Sequence, residues 1–267
     1  MNNFRTYYGF TKEPFPMQIN TDQLYPTKAL TSSYDRLLYA IKLKAIAIIT
    51  GEVGSGKSTT LRYAADKLHP SQYQIIPVIA SPGSILEILR LVGIELNLDV
   101  KTHSSALITK SIKNILVEII QRKQNPILII DEAHLMRLEV FTFLHTLGDL
   151  QINTKLMLPI ILSGQNNLID KLLYHTSKPI ASRVVAKTHL EGLKLTDMTA
   201  YLKHHLQIAG LNEQLFSDEA ILAIHQGSGG LLRRANILAR GAIMAAANEK
   251  CQMVAAEHVR IASTEII

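Results

Sequence analysis

The sequence predicts an α/β domain whose parallel β-sheet is covered by helices on both faces, followed by a small all-helical domain. Short apolar runs suited to buried strands alternate with helical patterns from about residue 45 to residue 162, which is typical of βαβ units. A glycine-rich turn joins the first of these strands to a helix. After about Leu190, four helical patterns follow with no strand between them. We therefore expect domain boundaries at 1–35, 36–190 and 191–267.

The first 35 residues are predicted to form an arm that packs on a domain instead of forming regular structure. Three prolines interrupt this segment, with aromatic residues between them: Pro14, Pro16 and Pro26. Prolines at this density favour turns and extended chain. Ser32 is predicted to cap a helix that runs to about Lys44. The next run, Ala45–Thr50, is short, β-branched and apolar on both sides, which predicts a buried parallel strand.

The remaining elements follow the same alternation. Further strands are predicted at 74–80, 127–130 and 156–162, and helices at 57–68, 84–96, 105–123 and 140–150. The helices after Leu190 are predicted at 196–209, 217–226, 231–248 and 256–262. Ser217 is a plausible cap of the second of these four helices, and Gly210 and Gly227 are plausible C-terminal stops.

Composition excludes several classes of protein. Apolar residues make up 47% of the chain and charged residues 19%, which excludes intrinsic disorder. The single cysteine, Cys251, excludes a disulfide scaffold and fits a reducing compartment. The amino-terminal residues lack the pattern of a signal peptide, and the apolar runs are shorter than the roughly 18 residues of a membrane helix. We therefore expect a cytoplasmic protein without membrane association.

A basic segment between residues 101 and 124 stands out from an otherwise modest charge excess. The chain has 28 lysines and arginines against 22 acids, a net charge of +6. Within the segment, five residues are basic and only Glu118 is acidic. One interpretation is contact with the phosphates of duplex DNA, and the other is a solvated helix face. The candidate DNA-binding residues are Lys101, Thr102, His103, Ser104, Lys110 and Lys113.

The glycine-rich turn fits the phosphate-binding pattern G-x-x-x-x-G-K-[ST] between a strand and a helix. Its glycines let backbone N–H groups turn toward phosphates, and the helix N-terminus favours anions. Lys57 is expected to reach the β- and γ-phosphates of ATP, and the Ser58 hydroxyl to ligate Mg²⁺. The candidate nucleotide-binding residues are Gly51, Glu52, Val53, Gly54, Ser55, Gly56, Lys57, Ser58 and Thr59.

Two acids follow the predicted strand 127–130, a Walker B arrangement. Asp131 is expected to hold the Mg²⁺ shell and Glu132 to polarise a water for attack on the γ-phosphate. The second acid favours hydrolysis over transfer to an acceptor. A neighbouring strand ends in Gln165, our candidate for orienting the attacking water, with Ser163 as the reserve. These residues predict an ATPase.

The chain resembles the AAA+ ATPases, close to the initiator-like clade. More narrowly, it is similar to the ExeA-type ATPases (general secretion pathway protein A) and their transposon-encoded relatives. The stretches that carry the resemblance span nearly the whole chain: Tyr8-Gly-Phe10 with Pro14-Phe15, Leu24-Tyr25-Pro26, Gly51–Thr59, Asp131-Glu-Ala-His134, Gly164-Gln165, and Phe216 with Ser228-Gly-Gly-Leu-Leu-Arg-Arg-Ala-Asn236. The arm and the last stretch are more specific than the phosphate loop.

The resemblance implies further roles. Arg183 falls where the family places the arginine finger, which acts on the γ-phosphate of a neighbouring subunit. This implies a homo-oligomer formed with ATP, either a ring or a helical filament. Arg233 falls at the sensor 2 position of the helical lid, a role that Arg234 could share. The sequence departs from the family pattern at Leu232, Ala235 and His134, where Pro, Ile and Gln respectively are usual.

The resemblance leaves two functions open. The first is an ATPase that assembles on duplex DNA and regulates transposition by selecting the target and recruiting or stimulating a transposase. The second is a secretion-pathway ATPase that assists assembly of an envelope complex. Secretion members continue into a membrane segment and a wall-binding module, whereas this sequence ends at Ile267. On that ground and on the basic segment, transposition is the favoured expectation.

Overall fold

The computed structural model describes residues 4–149 and 158–264. They fall into two compact units. We call residues 28–51 and 57–190 the α/β unit, and residues 1–27, 52–56 and 191–267 the helical unit. Within the described residues, no helix is both long and apolar enough to cross a membrane.

The elements follow one another along the chain in the predicted alternation. The helical unit begins with the short helix α1 (Phe4–Tyr8). The α/β unit contains α2 (Lys28–Lys42), β1 (Ile46–Gly51), α3 (Lys57–Lys67), β2 (Tyr73–Ile79), α4 (Ile85–Glu95), α5 (Ser105–Gln121), β3 (Asn125–Asp131), α6 (Leu138–Gly148), β4 (Ile160–Gly164), α7 (Asn167–Leu173), α8 (Lys178–Ala181) and β5 (Val184–Leu190). The helical unit ends with α9 (Leu195–Ile208), α10 (Asp218–Ser228), α11 (Leu232–Asn248) and α12 (Ala256–Thr264).

The five strands among the described residues form one parallel sheet in the order β2-β3-β4-β1-β5. Every residue of β1 is buried, and apolar clusters cover both faces of the sheet. The predicted fold class, a parallel α/β sheet between helices, is confirmed. Because the strands are parallel, their carboxyl ends meet at one edge: Thr50 pairs with Gly164, and Ile79 pairs with Asp131.

The fifth strand, the two short helices before it and the amino-terminal helix α1, in the segment predicted to lack regular structure, were not predicted. Strand β5 lies at the edge of the sheet beside β1, and its buried residues alternate with exposed ones. Lys187 and His189 occupy two of the exposed positions, so the apolar run that marks the central strands is missing here. The predicted strand 156–162 lies instead at Ile160–Gly164; its positions 156 and 157, like position 150 of the predicted helix 140–150, lie outside the described residues.

The four helices at the end of the helical unit lie close to their predicted positions, and the predicted end of one of them, α10, is wrong. The Ser217 hydroxyl accepts a hydrogen bond from the Ala220 N–H at 3.1 Å, which confirms the predicted cap of α10. Gly227 was wrongly predicted to end that helix. The helix instead runs through Ser228, and Gly229, at φ 60° in the left-handed region, follows it, as is common after a helix C-terminus.

The amino-terminal arm packs into the core of the helical unit. Phe10 and Phe15 are both buried there, and the Thr11 N–H donates to the Ala209 carbonyl at 2.9 Å. The prediction that a helix begins near Ser32 was wrong, because α2 begins at Lys28. The segment therefore changes from arm to helix about four residues earlier than its sequence suggested.

A histidine is buried among aromatic rings in this core. His205 is only 4% exposed, and its ring lies 5.2 Å from the ring of Phe15 and 4.4 Å from that of Tyr201. Burial lowers the pKa of His205 to about 4, since the charged imidazolium is disfavoured away from water. The folded protein therefore holds this side chain neutral at neutral pH.

Candidate active site

The carboxyl edge of the sheet carries the predicted lysine. Strand β1 ends at Gly51, and helix α3 begins at Lys57. The Lys57 side chain is buried, and its Nζ donates to the Gly51 carbonyl at 3.0 Å. The lysine cation therefore lies at the N-terminus of α3, where helix N–H groups favour an anion such as a phosphate.

The two predicted Mg²⁺ ligands lie against each other in the α/β unit. The Ser58 hydroxyl donates to Asp131 Oδ2 at 2.7 Å. The other carboxylate oxygen, Oδ1, accepts the Glu132 N–H at 2.9 Å. A hydroxyl and a carboxylate are the oxygen ligands that Mg²⁺ prefers, so this pair of residues fits the ion.

Glu132 adopts a backbone conformation that is uncommon outside glycine. Its φ and ψ are 53° and 30°, in the left-handed region, which costs about 1 kcal/mol or more for an ordinary residue. Such strain is concentrated at functional sites. The Glu132 side chain is 39% exposed, so its carboxylate can reach a water. This placement fits the expected general base.

Gln165 contacts His134 through its backbone N–H. It follows β4, and its N–H donates to His134 Nδ1 at 3.3 Å. The preceding residue must be small, because a Cβ on Gly164 would lie 3.0 Å from the His134 backbone nitrogen. The reserve candidate, Ser163, is fully buried, and its hydroxyl has no hydrogen-bond partner among the described residues.

The structure adds two residues to this edge that the sequence analysis did not assign. His134 Nδ1 lies 3.2 Å from Glu132 Oε2. Lys171, on α7, donates from Nζ to the carbonyls of His134 and Met136. Burial lowers the pKa of Lys171. The only sequence signal was that histidine stands where the resembled family usually has glutamine.

The middle of the phosphate loop, residues 52–56, belongs to the helical unit, where it packs against the start of α11. The Arg233 N–H donates to the Gly54 carbonyl at 3.2 Å. Gly54 has φ +86°, and a Cβ there would lie 3.0 Å from Arg233 Cβ. The loop therefore needs glycine for its left-handed backbone and for the close approach of α11. The side chains of Arg233 and Arg234 are exposed.

The other loop residues differ in exposure. Glu52, Val53 and Ser58 are exposed, whereas Ser55 is buried and Thr59 is half-buried. The Ser55 hydroxyl has no hydrogen-bond partner among the described residues, and a buried polar group of this kind costs free energy until it is paired. An oxygen-rich ligand in the loop would supply the missing partner.

Arg183, the expected arginine finger, is paired within its own chain. Its Nη2 lies 2.9 Å from Asp149 Oδ1 and 3.0 Å from Oδ2. The hydrogen bond from Arg183 lowers the pKa of the Asp149 carboxyl. Lys113 Nζ donates to the backbone carbonyls of Thr146 and Asp149 at 2.9 Å and 2.7 Å. The Lys113 ammonium thus caps the C-terminus of α6, and its role as an exposed DNA contact is weakened.

The turn before α5 holds the other predicted DNA contacts. Lys101 is exposed and lies 3.6 Å from Asp99. Arg90, which the sequence analysis did not assign, donates to the Thr102 carbonyl and to His103 Nδ1. The side chains of Thr102 and Ser104 accept local backbone N–H groups, and Ser104 caps α5. These two hydroxyls therefore shape the turn.

An open groove follows along the exposed side of α5. Its volume is about 600 Å³, and Lys110 lies among the residues that line it: Ser105, Ala106, Thr109, Lys110, Lys113, Asn114, Val117 and Phe143. The Lys110 side chain is exposed. Within the basic segment, Lys101 and Lys110 are therefore the predicted lysines with exposed side chains.

A second cluster of ligand-type side chains lies in the helical unit. Glu249, Cys251 and His258 bring a carboxylate, a thiol and an imidazole within 4.8 Å of one another. The Ala255 N–H donates to His258 Nδ1 at 2.9 Å, so the neutral ring carries its proton on Nε2, which faces Glu249 Oε2 at 3.2 Å. The His258 ring therefore bonds to the backbone just before α12 and to the Glu249 carboxylate.

The chain is similar to several known proteins. Residues 41–172 match the family model described as an AAA domain. The chain aligns over 98% of its length with the Aeropyrum pernix ORC2 protein, with a TM-score of 0.66 and 18% identity, and covers 71% of that chain. The fold is that of the AAA+ ATPases. At this level of identity, the structural likeness shows the AAA+ fold alone.

Two further solved structures and one curated protein are also similar to this chain. The Aeropyrum pernix ORC1 protein in complex with DNA gives a TM-score of 0.70 at 14% identity, over 94% of this chain and 68% of that one. The Thermotoga maritima RuvB Holliday junction branch migration motor gives a TM-score of 0.59 at 18% identity. The match covers 94% of this chain and 73% of that one. General secretion pathway protein A of Aeromonas hydrophila is 25% identical over 98% of this chain. The chain spans about half (48%) of that relative.

Proposed function

We propose that the protein is an ATPase that hydrolyses ATP to ADP and phosphate. The observation that carries the proposal is the contact between Ser58 and Asp131, a hydroxyl and a carboxylate that fit Mg²⁺. The Lys57 cation lies at the start of the same helix as Ser58. Beside Asp131, Glu132 offers a second carboxylate with access to solvent.

The proposed mechanism assigns one task to each side chain. Ser58 and Asp131 would hold Mg²⁺, which would supply positive charge to offset the negative charge of the phosphates. Lys57 binds the same phosphates. Glu132 accepts a proton from the attacking water, and Gln165 orients that water. A general base of this kind contributes typically 10²- to 10⁴-fold to a rate.

Two substitutions separate binding from hydrolysis. We expect Lys57→Ala to abolish binding of a fluorescent ATP analogue, because the lysine contacts phosphate in the ground state. Glu132→Gln should bind the analogue normally and lose at least a hundredfold in kcat, because the base acts in the transition state. Lys67→Ala, on the same helix, and Glu139→Gln, an exposed glutamate nearby in sequence, are the matched controls. Unchanged turnover in Glu132→Gln would remove that residue from the mechanism.

We propose further that the ATPase assembles on duplex DNA and regulates transposition together with a transposase. Support comes from the sequence resemblance to the transposon-encoded branch and from the exposed lysines at positions 101 and 110. The likeness in fold to a protein solved in complex with DNA is compatible with this proposal. In the assembly, Arg183 would act on the nucleotide of a neighbouring subunit, where an arginine finger is worth about 10³- to 10⁵-fold in rate.

The second candidate function is a secretion-type ATPase that assists assembly of an envelope complex. It is favoured by the 25% identity to general secretion pathway protein A over nearly the whole of this chain. Both candidates use the same ATP chemistry, so the difference between them lies in the partner.

One experiment separates the two candidates. Steady-state ATP hydrolysis is measured with and without duplex DNA, with heparin as a control for nonspecific polyanion effects. Stimulation by duplex DNA beyond that by heparin, together with DNA-dependent co-sedimentation with a transposase, supports transposition. Hydrolysis that does not respond to DNA, with no binding at low salt, contradicts it and leaves the secretion-type function.

A further inference from the structure

We propose that His134 is a positioning residue that links the base Glu132 to Gln165 through a single ring nitrogen. This inference rests on the proposed function, since it concerns how Glu132 is made available for hydrolysis. It is carried by the contacts of one atom, His134 Nδ1, which lies 3.2 Å from Glu132 Oε2 and 3.3 Å from the Gln165 nitrogen.

The two contacts require opposite states of Nδ1. The Gln165 N–H is a donor and needs a lone pair on the ring nitrogen. The Glu132 carboxylate is an acceptor and needs a proton there. Because one nitrogen holds either the proton or the lone pair, the ring makes one of these hydrogen bonds at a time. His134 thus has two states that differ only in where its proton lies.

Each state has a different consequence for the reaction. With the proton on Nδ1, the ring donates to Glu132 and occupies one of the carboxylate lone pairs, so the base is held by the protein. With the proton on Nε2, Nδ1 accepts the Gln165 N–H, and the Glu132 carboxylate is free to take a proton from water. Movement of the Gln165 backbone at the end of β4 therefore changes the availability of Glu132.

The surroundings keep the ring in place and uncharged. The side chain is 7% exposed, and the Gly164 backbone packs against it. Lys171 donates to the His134 carbonyl and fixes the main chain. Four charged groups act on the ring: Glu132, Asp131, Lys171 and Lys57. Burial is the largest influence and lowers the pKa of His134, so at neutral pH the choice lies between two neutral tautomers.

Substitutions test the link through kinetics. His134→Ala removes both contacts, and we expect kcat for ATP hydrolysis to fall about tenfold to a hundredfold, the range for one hydrogen bond to a charged group. The KM for ATP should stay within about twofold, because the ring does not bind nucleotide. His134→Asn places an amide where Nδ1 lies and should recover much of the loss. His69→Ala, at an exposed turn before β2, is the matched control.

A spectroscopic measurement tests the same link without an alanine variant. Long-range ¹H–¹⁵N spectra of histidine-labelled protein report which ring nitrogen carries the proton, and the His134→Asn spectrum assigns the signal. In Glu132→Gln the acceptor loses its charge, so we expect the His134 tautomer population to shift toward protonated Nε2. His69 should not respond.

The outcomes separate this inference from the proposed function. Wild-type protein without ATPase activity would overturn the proposed function, whereas the tautomer shift in Glu132→Gln would still report the link. If the wild type hydrolyses ATP and Glu132→Gln does not, the function stands. In that case, the proposal for His134 is overturned by a kcat of His134→Ala equal to that of His69→Ala. An unchanged His134 tautomer in Glu132→Gln overturns it as well, including when His134→Ala does not fold.

Discussion

The pairing of Arg183 with Asp149 predicts that removing one charge will raise the proposed rate of ATP hydrolysis. If Arg183 acts on a neighbouring subunit, it must first leave the Asp149 carboxylate, which it contacts through both oxygens. Asp149→Asn keeps the size of the side chain and removes its charge. The variant should therefore release the arginine and favour the assembled, active form.

The expected size of this activation follows from the exposure of the pair. Asp149 is 46% exposed and Arg183 is 23% exposed, so solvent screens the attraction. A pair of this kind contributes about 1 kcal/mol, which corresponds to a factor of about five in a population. We expect ATP hydrolysis per subunit to rise up to about fivefold at protein concentrations where the wild type is mostly unassembled.

The assay is steady-state hydrolysis as a function of protein concentration, with assembly followed by light scattering. The Asp149→Asn curve should shift to lower concentration and meet the wild-type curve at saturation. Glu118→Gln, which breaks an exposed ion pair with Arg122 in the same unit, should leave the curve unchanged. A curve for Asp149→Asn that coincides with the wild type, or lies at higher concentration in folded protein, would refute the reasoning.

Three further outcomes are expected. Gly54→Ala should weaken nucleotide binding at least tenfold in a fluorescence titration, because the new Cβ meets Arg233 at 3.0 Å and the backbone has φ +86°. The pKa of His205 is lowered to about 4, so below about pH 6.5 the unfolded state binds more protons than the folded state. The free energy of unfolding should therefore fall by about 3 kcal/mol as the pH drops from about 6.5 to about 4. Urea unfolding at both pH values should show this loss in the wild type and not in His205→Leu. Replacing Lys101 and Lys110 by Ala should flatten the slope of log affinity for duplex DNA against log salt by about 0.9 per lost contact, with basal ATP hydrolysis unchanged; an unaltered slope would mean that these lysines do not touch phosphate.

The elements that could be predicted from the sequence are those marked by a pattern within a short stretch of residues. Strand β1 is apolar on both faces and is followed by a glycine-rich turn, so the burial of all its residues follows from its composition. Strand β5 carries Lys187 and His189 on its exposed side, and such alternation is shared by many surface segments. Its place beside β1 depends on pairing between residues about 140 positions apart, which no local pattern records.

The candidate site divides in the same way. The types and spacing of Lys57, Ser58 and Asp131 follow from what phosphates and Mg²⁺ require, and the structure brings Ser58 and Asp131 into contact. The side chains that pair with Arg183 and with Gln165 could not be predicted from the sequence. Asp149 meets Arg183 across 34 positions of sequence, and the contact between His134 and Gln165 spans 31. Such contacts form only when the chain packs, so they cannot be predicted from the local pattern of a single sequence.

The arm inside the helical unit has a consequence for the order in which the chain folds. The Thr11 hydroxyl bonds to the carbonyl of a residue 198 positions later, and the Tyr8 hydroxyl to one 243 positions later. Contacts of such separation are slow to form, because a long loop must close before they return any free energy. During synthesis on the ribosome, Phe10 and Phe15 lack the side chains against which they pack until helices α9 to α12 have been synthesised. The α/β unit, complete by residue 190, can fold while that hydrophobic segment is still without its partners.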